Sequence, residues 1–489
     1  MSTSYTRERS RPDGREDAPA GRSETGGRPR SARVRTALVW AALGWIIGIE
    51  RLDDNSFLTH LRTGRWILEH GVPHADIYSY TVPGTTWIAQ SWLVEVVYAA
   101  IAELAGPTGI RVLGGCFGAA CAYLACRLAD RAGGGRTVAL LLPALFVSSL
   151  YWVERPLFVG ILALLALLWI VEVPDSAAGR WPLATIPSLM FLWANSHGTF
   201  ALGFGYLALH LLGRWADGAV PWRDRELRLL QASGLALLAC LINPYGARLV
   251  LFPLDLLARG DALRHVSEWK SPNFHTMTGI AFAVWIAVFV VVIALARTRP
   301  SRRDVLVSVP FLLLGLWAMR NAAIAPLVAL PVLARLLPGA RPAVPRPRAD
   351  MVIVVVVLVF MALLTRAGLS DPPFDLRHYP VAAMRAVEQQ GLLGRRLFTQ
   401  HAWSAYVIHA YWPRQRVFMD DRFDMYPVAF TENYMKVRDG DARWRPTFER
   451  YGVDVVVWRT GAALTEIVSR EPGWRVVHRD AMATVLARR

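Results

Sequence analysis

Between Thr36 and Thr365, apolar runs almost empty of ionisable residues recur eleven times, and no other feature limits the fold so strongly. They lie near 36–49, 110–126, 137–152, 156–172, 182–196, 199–213, 229–243, 279–296, 304–319, 322–337 and 351–365. A helix needs about 20 residues to cross the hydrocarbon core, so several of these runs extend into their flanks. The pattern predicts an α-helical polytopic membrane protein of about eleven spans. Composition agrees, with 54% hydrophobic and 19% charged residues against roughly 45–50% and about 25% in soluble chains. The mean hydropathy is +0.30. A soluble enzyme, a disordered chain and a collagen-like chain are excluded.

The net charge of +16 does not point to nucleic acid, because the basic residues gather in short clusters between apolar runs. Only Lys270 and Lys436 are lysines. The clusters are Arg127, Arg131 and Arg136; Arg214, Arg223, Arg225 and Arg228; Arg297, Arg299, Arg302 and Arg303; and Arg335, Arg341, Arg346 and Arg348. The weak loop 173–181 holds only Arg180. Alternate connections thus carry the arginines, which is the positive-inside pattern. It places the N-terminus in the cytoplasm and the C-terminus outside a plasma membrane. Residues 1–33, rich in Arg, Gly, Ser, Pro and Glu, read as a disordered basic tail. The run after it has no small-residue cleavage site at Ile49-Glu50-Arg51, so it reads as an uncleaved first helix. The four cysteines lie in apolar segments and read as packing residues.

Two regions fall outside the span-rich part 34–366 or interrupt it, and both land on the outer face. The first is the loop 51–108. The second, 367–489, is long enough for a small domain. In it, helix-like stretches at Pro380–Gln390, His401–Ala410 and Thr431–Tyr451 alternate with β-rich ones. The β-rich stretches are Arg396–Thr399, Arg416–Met419, Asp454–Trp458, Trp474–His478 and Thr484–Ala487, predicting an α/β domain with a mainly parallel sheet. No Gly-rich phosphate loop follows a strand; Gly133-Gly134-Gly135 reads as a cytoplasmic turn.

The chemistry concentrates where the first outer loop begins. Asp53 and Asp54 follow helix 1 at the membrane boundary, where carboxylates are costly without partners. Arg62 and Arg65 are the expected partners, on a helix running from about Phe57 to Glu69. One reading is a base beside phosphate-binding cations. The other is an acidic helix cap, which Asp and Asn favour on hydrogen-bonding grounds alone. Farther on, turn residues and a short β-like stretch lead to an interfacial apolar helix, with Trp87 and Trp92 as anchors.

This layout resembles the GT-C superfamily of membrane glycosyltransferases. The strings Asp54-Asn55-Ser56-Phe57-Leu58-x-His60-Leu61-x-x-Gly64-Arg65 and Gln90-Ser91-Trp92-Leu93 look more closely like a broad group of bacterial multi-pass proteins described as GT-C-like. At Ser56 this chain has a hydroxyl where some of that group carry a second acid. The resemblance implies an inverting sugar transfer from a polyprenyl-phosphate donor, whose lipid lies among the helices, to an envelope glycan, lipid or protein. It gives Asp54, or failing it Asp53, the role of base, and Arg155, His197 and Arg320 the leaving phosphate.

Further polar residues sit at outer helix ends: Glu154-Arg155, Asn195-Ser196-His197, Asn243-Pro244-Tyr245, Arg320-Asn321, and Glu268-Trp269 in a loop. Each alone reads as a cap or packing contact; their shared side suggests one cavity open to the outer leaflet. Asp420, Asp421 and Asp424 could bind a divalent cation, but the preferred reading is a polar loop neutralised by Arg422, with no metal site. A non-catalytic envelope-assembly or binding protein is the alternative function. A transporter fits less well, because it would place charges or broken helices at mid-span.

Overall fold

The computed structural model describes residues 30–133, 138–173, 180–263, 266–337 and 347–489. Residues 1–29 of the expected disordered tail, the glycines Gly134 and Gly135, and the arginines Arg136, Arg341 and Arg346 lie outside these residues, whereas 30–33, expected to belong to that tail, begin the first helix. Each apolar run that is described coincides with a helix. Among the described residues four segments are long and apolar enough to cross a membrane by themselves: Trp92–Ala132, Met277–Leu295, Met319–Leu336 and Met351–Leu369. Shorter apolar helices accompany them.

Five helices set up the outer end: α1 (Arg30–Gly48), α2 (Phe57–His70), α3 (Trp92–Gly133), α4 (Val138–Ser149) and α5 (Pro156–Glu172). Helix α3 breaks at Gly106 (φ 63°), just before Pro107. Helix α1 packs directly on α3 because Gly44 and Gly48 meet Gly118 and Gly114; a Cβ on Gly44 would lie 2.1 Å from the Gly118 carbonyl oxygen. Such small-residue pairs let helix backbones approach closely where the surroundings are apolar. Arg111 ties three segments together, donating to the carbonyls of Ile49 (3.2 Å), Glu50 (3.0 Å) and Gly368 (3.0 Å).

At the far end of α5 lies a polar clamp. Glu172 accepts from Tyr206 Oη (2.6 Å), Arg303 (3.0 Å) and Arg335 (3.0 Å), and Arg335 also donates to Asp304 (2.8 Å). Part of the arginine pattern therefore performs a packing task.

The C-terminal region forms a four-stranded sheet, β1 (Leu397–Thr399), β2 (Val455–Arg459), β3 (Trp474–Arg479) and β4 (Ala483–Arg488), in the order β1-β2-β4-β3. Only β1 and β2 run parallel; β2–β4 and β3–β4 are antiparallel. This corrects the expected mainly parallel sheet. The segment joining β3 and β4 is too short for a crossover, and a short connection allows only antiparallel pairing. The stretch Arg416–Met419 makes isolated bridges through Val417, to Leu397 and to Ser79, instead of a full strand. The long helix expected over Thr431–Tyr451 is two, Val428–Arg438 and Trp444–Tyr451, with Gly440 at φ 84° between them.

This region does not stand apart from the first loop. Leu58, Tyr78, Trp87 and Ala89 belong to the same buried core as Phe398, Phe418 and Tyr426. Trp87 is thus a core residue at 5% exposure, not an interfacial anchor.

Candidate functional site

Where one set of helix ends meets the C-terminal region, a cavity of about 470 Å³ opens. Arg155, His197 and Arg320 line it, as does Glu268; these come from connections far apart in sequence that sequence reading assigned to one side. Asn55, Ser56 and His60 enter from the first loop, and His401, Asp421 and Asp424 from the C-terminal region.

Asp54 sits behind this lining and is heavily engaged. Its Oδ1 accepts from Ser56 N (2.9 Å), Ser56 Oγ (2.6 Å) and Phe57 N (3.2 Å), so it caps α2. Its Oδ2 accepts from Arg155 Nε. Arg155 also holds Glu268 and donates to Asn55 Oδ1 at 3.0 Å. Burial alone would lower the Arg155 pKa, but Asp54 and Glu268 outweigh it and hold the guanidinium charged. Asp53 is exposed and lines a separate crevice with Glu50 and Glu154. Burial, and then Asp54, raise the Asp53 carboxyl above its ordinary value.

Arg62 and Arg65 do not join the carboxylates. Arg62 donates to the Trp412 carbonyl (3.4 Å) and stacks over the Trp412 ring (4.8 Å), while Arg65 acts on His409. The reason is helical geometry. At 100° per residue, Arg62 and Arg65 lie about 160° and 140° around α2 from His60, which faces the cavity. Asn195 is likewise a packing residue, accepting from Trp92 Nε1 (2.8 Å) and donating to the carbonyls of Phe191 and Ile242. Asn321 donates to the Leu314 carbonyl (3.2 Å). Glu154 backs the site, its Oε1 accepting from Asp54 N at 2.9 Å.

His197 accepts at Nδ1 from the Thr199 backbone N–H (3.3 Å), which leaves Nε2 carrying the hydrogen. Burial, then Arg320, His60 and Arg155, push its pKa well down, so it is a neutral donor and not a cation. Arg320 lies over the Trp269 ring (4.6 Å) and makes no hydrogen bond or ion pair among the described residues.

Two further features line the cavity, one that sequence reading left unassigned and one that it took for a polar loop. His60 Nδ1 and Glu95 Oε1 are 2.6 Å apart, joining the first string to the helix that begins with the second. Burial would lower the His60 pKa, but the bond and charge of Glu95 raise it. The close fit depends on Gly64, where a Cβ would meet the Glu95 carbonyl oxygen at 1.9 Å. The second feature is the carboxylate string. Arg422 does neutralise Asp420 (2.6 Å) and also pairs with Asp76 (2.6 Å), but Asp421 and Asp424 face the cavity. Burial, then Asp420, raise Asp421 to about 7. Among the described residues no group of three His, Cys, Asp or Glu side chains could hold a metal ion.

Burial, and second the Asp54 charge, raise Glu154 to about 8. A carboxyl raised in the fold contributes stability below its ordinary pKa and loses it as pH climbs through about 8. Glu154→Gln, fixed neutral, should match wild type in thermal unfolding near pH 5 and exceed it by a few degrees near pH 8.5. Parallel pH slopes for the two proteins would refute the assignment.

No protein-family model matches the sequence, and no curated protein matches it. Among solved structures, the chain is similar to the archaeal oligosaccharyltransferase AglB from Archaeoglobus fulgidus, in complex with an inhibitory peptide and a dolichol-phosphate. The match has a TM-score of 0.51 at 13% identity and covers 87% of this chain and 69% of that one. The likeness is one of fold.

Proposed function

We propose that the chain is a membrane glycosyltransferase that moves a sugar from a polyprenyl-phosphate donor to an extracytoplasmic acceptor. The observation that carries this reading is the lining of the cavity. Arg320, His197 and Arg155, which can donate to an anion, share it with the carboxylates Glu268, Asp421 and Asp424. The fold likeness adds to it, because the similar structure was solved with a lipid phosphate.

In this reading the acceptor hydroxyl attacks the anomeric carbon from the face opposite the phosphate. The bond from that carbon to the phosphate oxygen breaks, its electron pair leaves with the phosphate, and the configuration inverts. Asp54 takes the hydroxyl proton. The arriving phosphate draws Arg155 toward itself and so frees Asp54 Oδ2, coupling donor binding to base strength. Arg320 and His197 hold the charge that grows on the leaving oxygen. Asp53, exposed and in the separate crevice with Glu50 and Glu154, has no direct part. The C-terminal region, placed outside the cell, completes the site with Asp421 and Asp424.

A strain lacking the protein should accumulate a lipid-linked sugar, and wild type should clear it. Arg320→Gln should transfer sugar about 10²–10³-fold more slowly in proteoliposomes, as expected for one lost charge-stabilising donor. Unchanged lipid-linked sugars and envelope glycans in the deletion strain would overturn the reading.

A further inference from the structure

The pair His60–Glu95 has no part in the reaction so described, yet its geometry is that of an acid–base group. Glu95 is buried, its side chain 3% exposed, and it holds one nitrogen of the His60 ring, Nδ1, at 2.6 Å. The His60 side chain is 26% exposed and stands in the wall of the large cavity. Its other nitrogen, Nε2, stays accessible and makes no hydrogen bond among the described residues. With a carboxylate on Nδ1, that nitrogen carries a hydrogen whether the ring is neutral or charged. Any proton exchanged with a bound molecule therefore passes through Nε2.

The charged groups that face His60 come from three places: Glu95 from α3, Asp421 from the C-terminal region and Asp54 from the turn before α2. Burial opposes the imidazolium, but Glu95, then Asp421 and Asp54, outweigh it. The same wall holds Arg155, His197 and Arg320. After burial and Arg320, the His60 charge is the next cause of the lowered His197 pKa, so the two rings are near neighbours.

We infer, on the glycosyltransferase reading above, that His60 is a further catalytic residue, the acid that protonates the leaving phosphate, and that Glu95 is its positioning residue. As the bond from the anomeric carbon to the phosphate oxygen breaks, the electron pair stays on that oxygen and takes the proton of His60 Nε2. The products are the glycosylated acceptor and a polyprenyl phosphate carrying that proton; the acceptor's proton is on Asp54, and His60 is neutral. Asp54 then gives a proton to water and His60 takes one from it, so none is gained or lost over the cycle. The two proton affinities lie close together, with the second protonation of a phosphate ester at about pH 6 and imidazole at about 6.5. An acid whose pKa lies near the working pH is the most effective kind. Asp421 shares the wall and is raised to about 7, but its side chain has no hydrogen bond among the described residues to aim it.

The test is sugar transfer by the full chain in proteoliposomes made with a membrane extract of the deletion strain, which supplies the accumulated lipid-linked sugar and its acceptor. Wild-type turnover should fall as pH rises from about 6 to about 9, because His60 loses its proton. His60→Asn keeps an N–H for Glu95 but no titrating group. It should unfold at the wild-type temperature, turn over about 10²–10⁴-fold more slowly and lack the alkaline fall. Glu95→Gln removes the charge that holds the proton, so the fall should move to lower pH. A pair that only joined α2 to α3 would not move it. Turnover of His60→Asn within about twofold of wild type, or an alkaline fall that Glu95→Gln leaves in place, would overturn the role of His60 and leave the glycosyltransferase reading standing. If His60→Asn does not fold, the Glu95→Gln profile decides. No transfer by the wild type would overturn both.

Discussion

Asp54→Asn should give a folded protein with turnover about 10²–10⁴-fold below wild type, the usual cost of losing a positioned base. Asn retains an oxygen for the N–H groups of Ser56 and Phe57 and caps about as well as Asp. Its amide then turns an N–H toward Arg155, which keeps Glu268 and Asn55 as partners. The fold therefore survives while the proton acceptor is gone. Affinity for polyprenyl phosphate decides what the loss means. Retained binding with lost turnover identifies a base; loss of both identifies a residue whose task is to hold Arg155. Normal turnover at matched protein level would leave only the cap. Asp53→Asn, at an exposed position in the separate crevice, should be close to wild type.

Glu172→Ala should destabilise the helical region by about 1–3 kcal/mol, because it removes the shared partner of two partly buried guanidinium groups. Glu172 is 1% exposed at its side chain and binds Arg303 and Arg335 at 3.0 Å each. Asp304 remains as a partner for both arginines, at 3.2 and 2.8 Å, so the loss is partial at each and the fold is weakened, not abolished. The 17 residues of α5 separate this clamp from Arg155 by about 25 Å. The surviving folded fraction should therefore bind lipid phosphate normally. A thermal midpoint within a degree of wild type would show that the clamp contributes little.

The sequence by itself determined the helices, because an apolar run is a local property. A run of apolar residues has nowhere to go but a bilayer or a core, and a helix must satisfy its own backbone there. Sidedness brought Arg155, His197 and Arg320 to one face in the reading, and the structure brings them to one cavity. The extent of α2 was equally legible, from the cap residues before Phe57 to its end at His70.

Only the tertiary structure decided which partners meet. Asp54 and Arg155 are 101 residues apart, and nothing between them records that they touch. Proximity in sequence favoured Arg62 and Arg65 for the carboxylates, but the C-terminal region supplies Trp412 to the far face of α2 and takes Arg62 there. The same packing carries Asp421 into the cavity and joins His60 to Glu95. Hydropathy is read along one dimension, whereas the facing of a side chain is fixed by what covers the opposite side of its helix. For α2 that cover is the C-terminal region, more than 300 residues away.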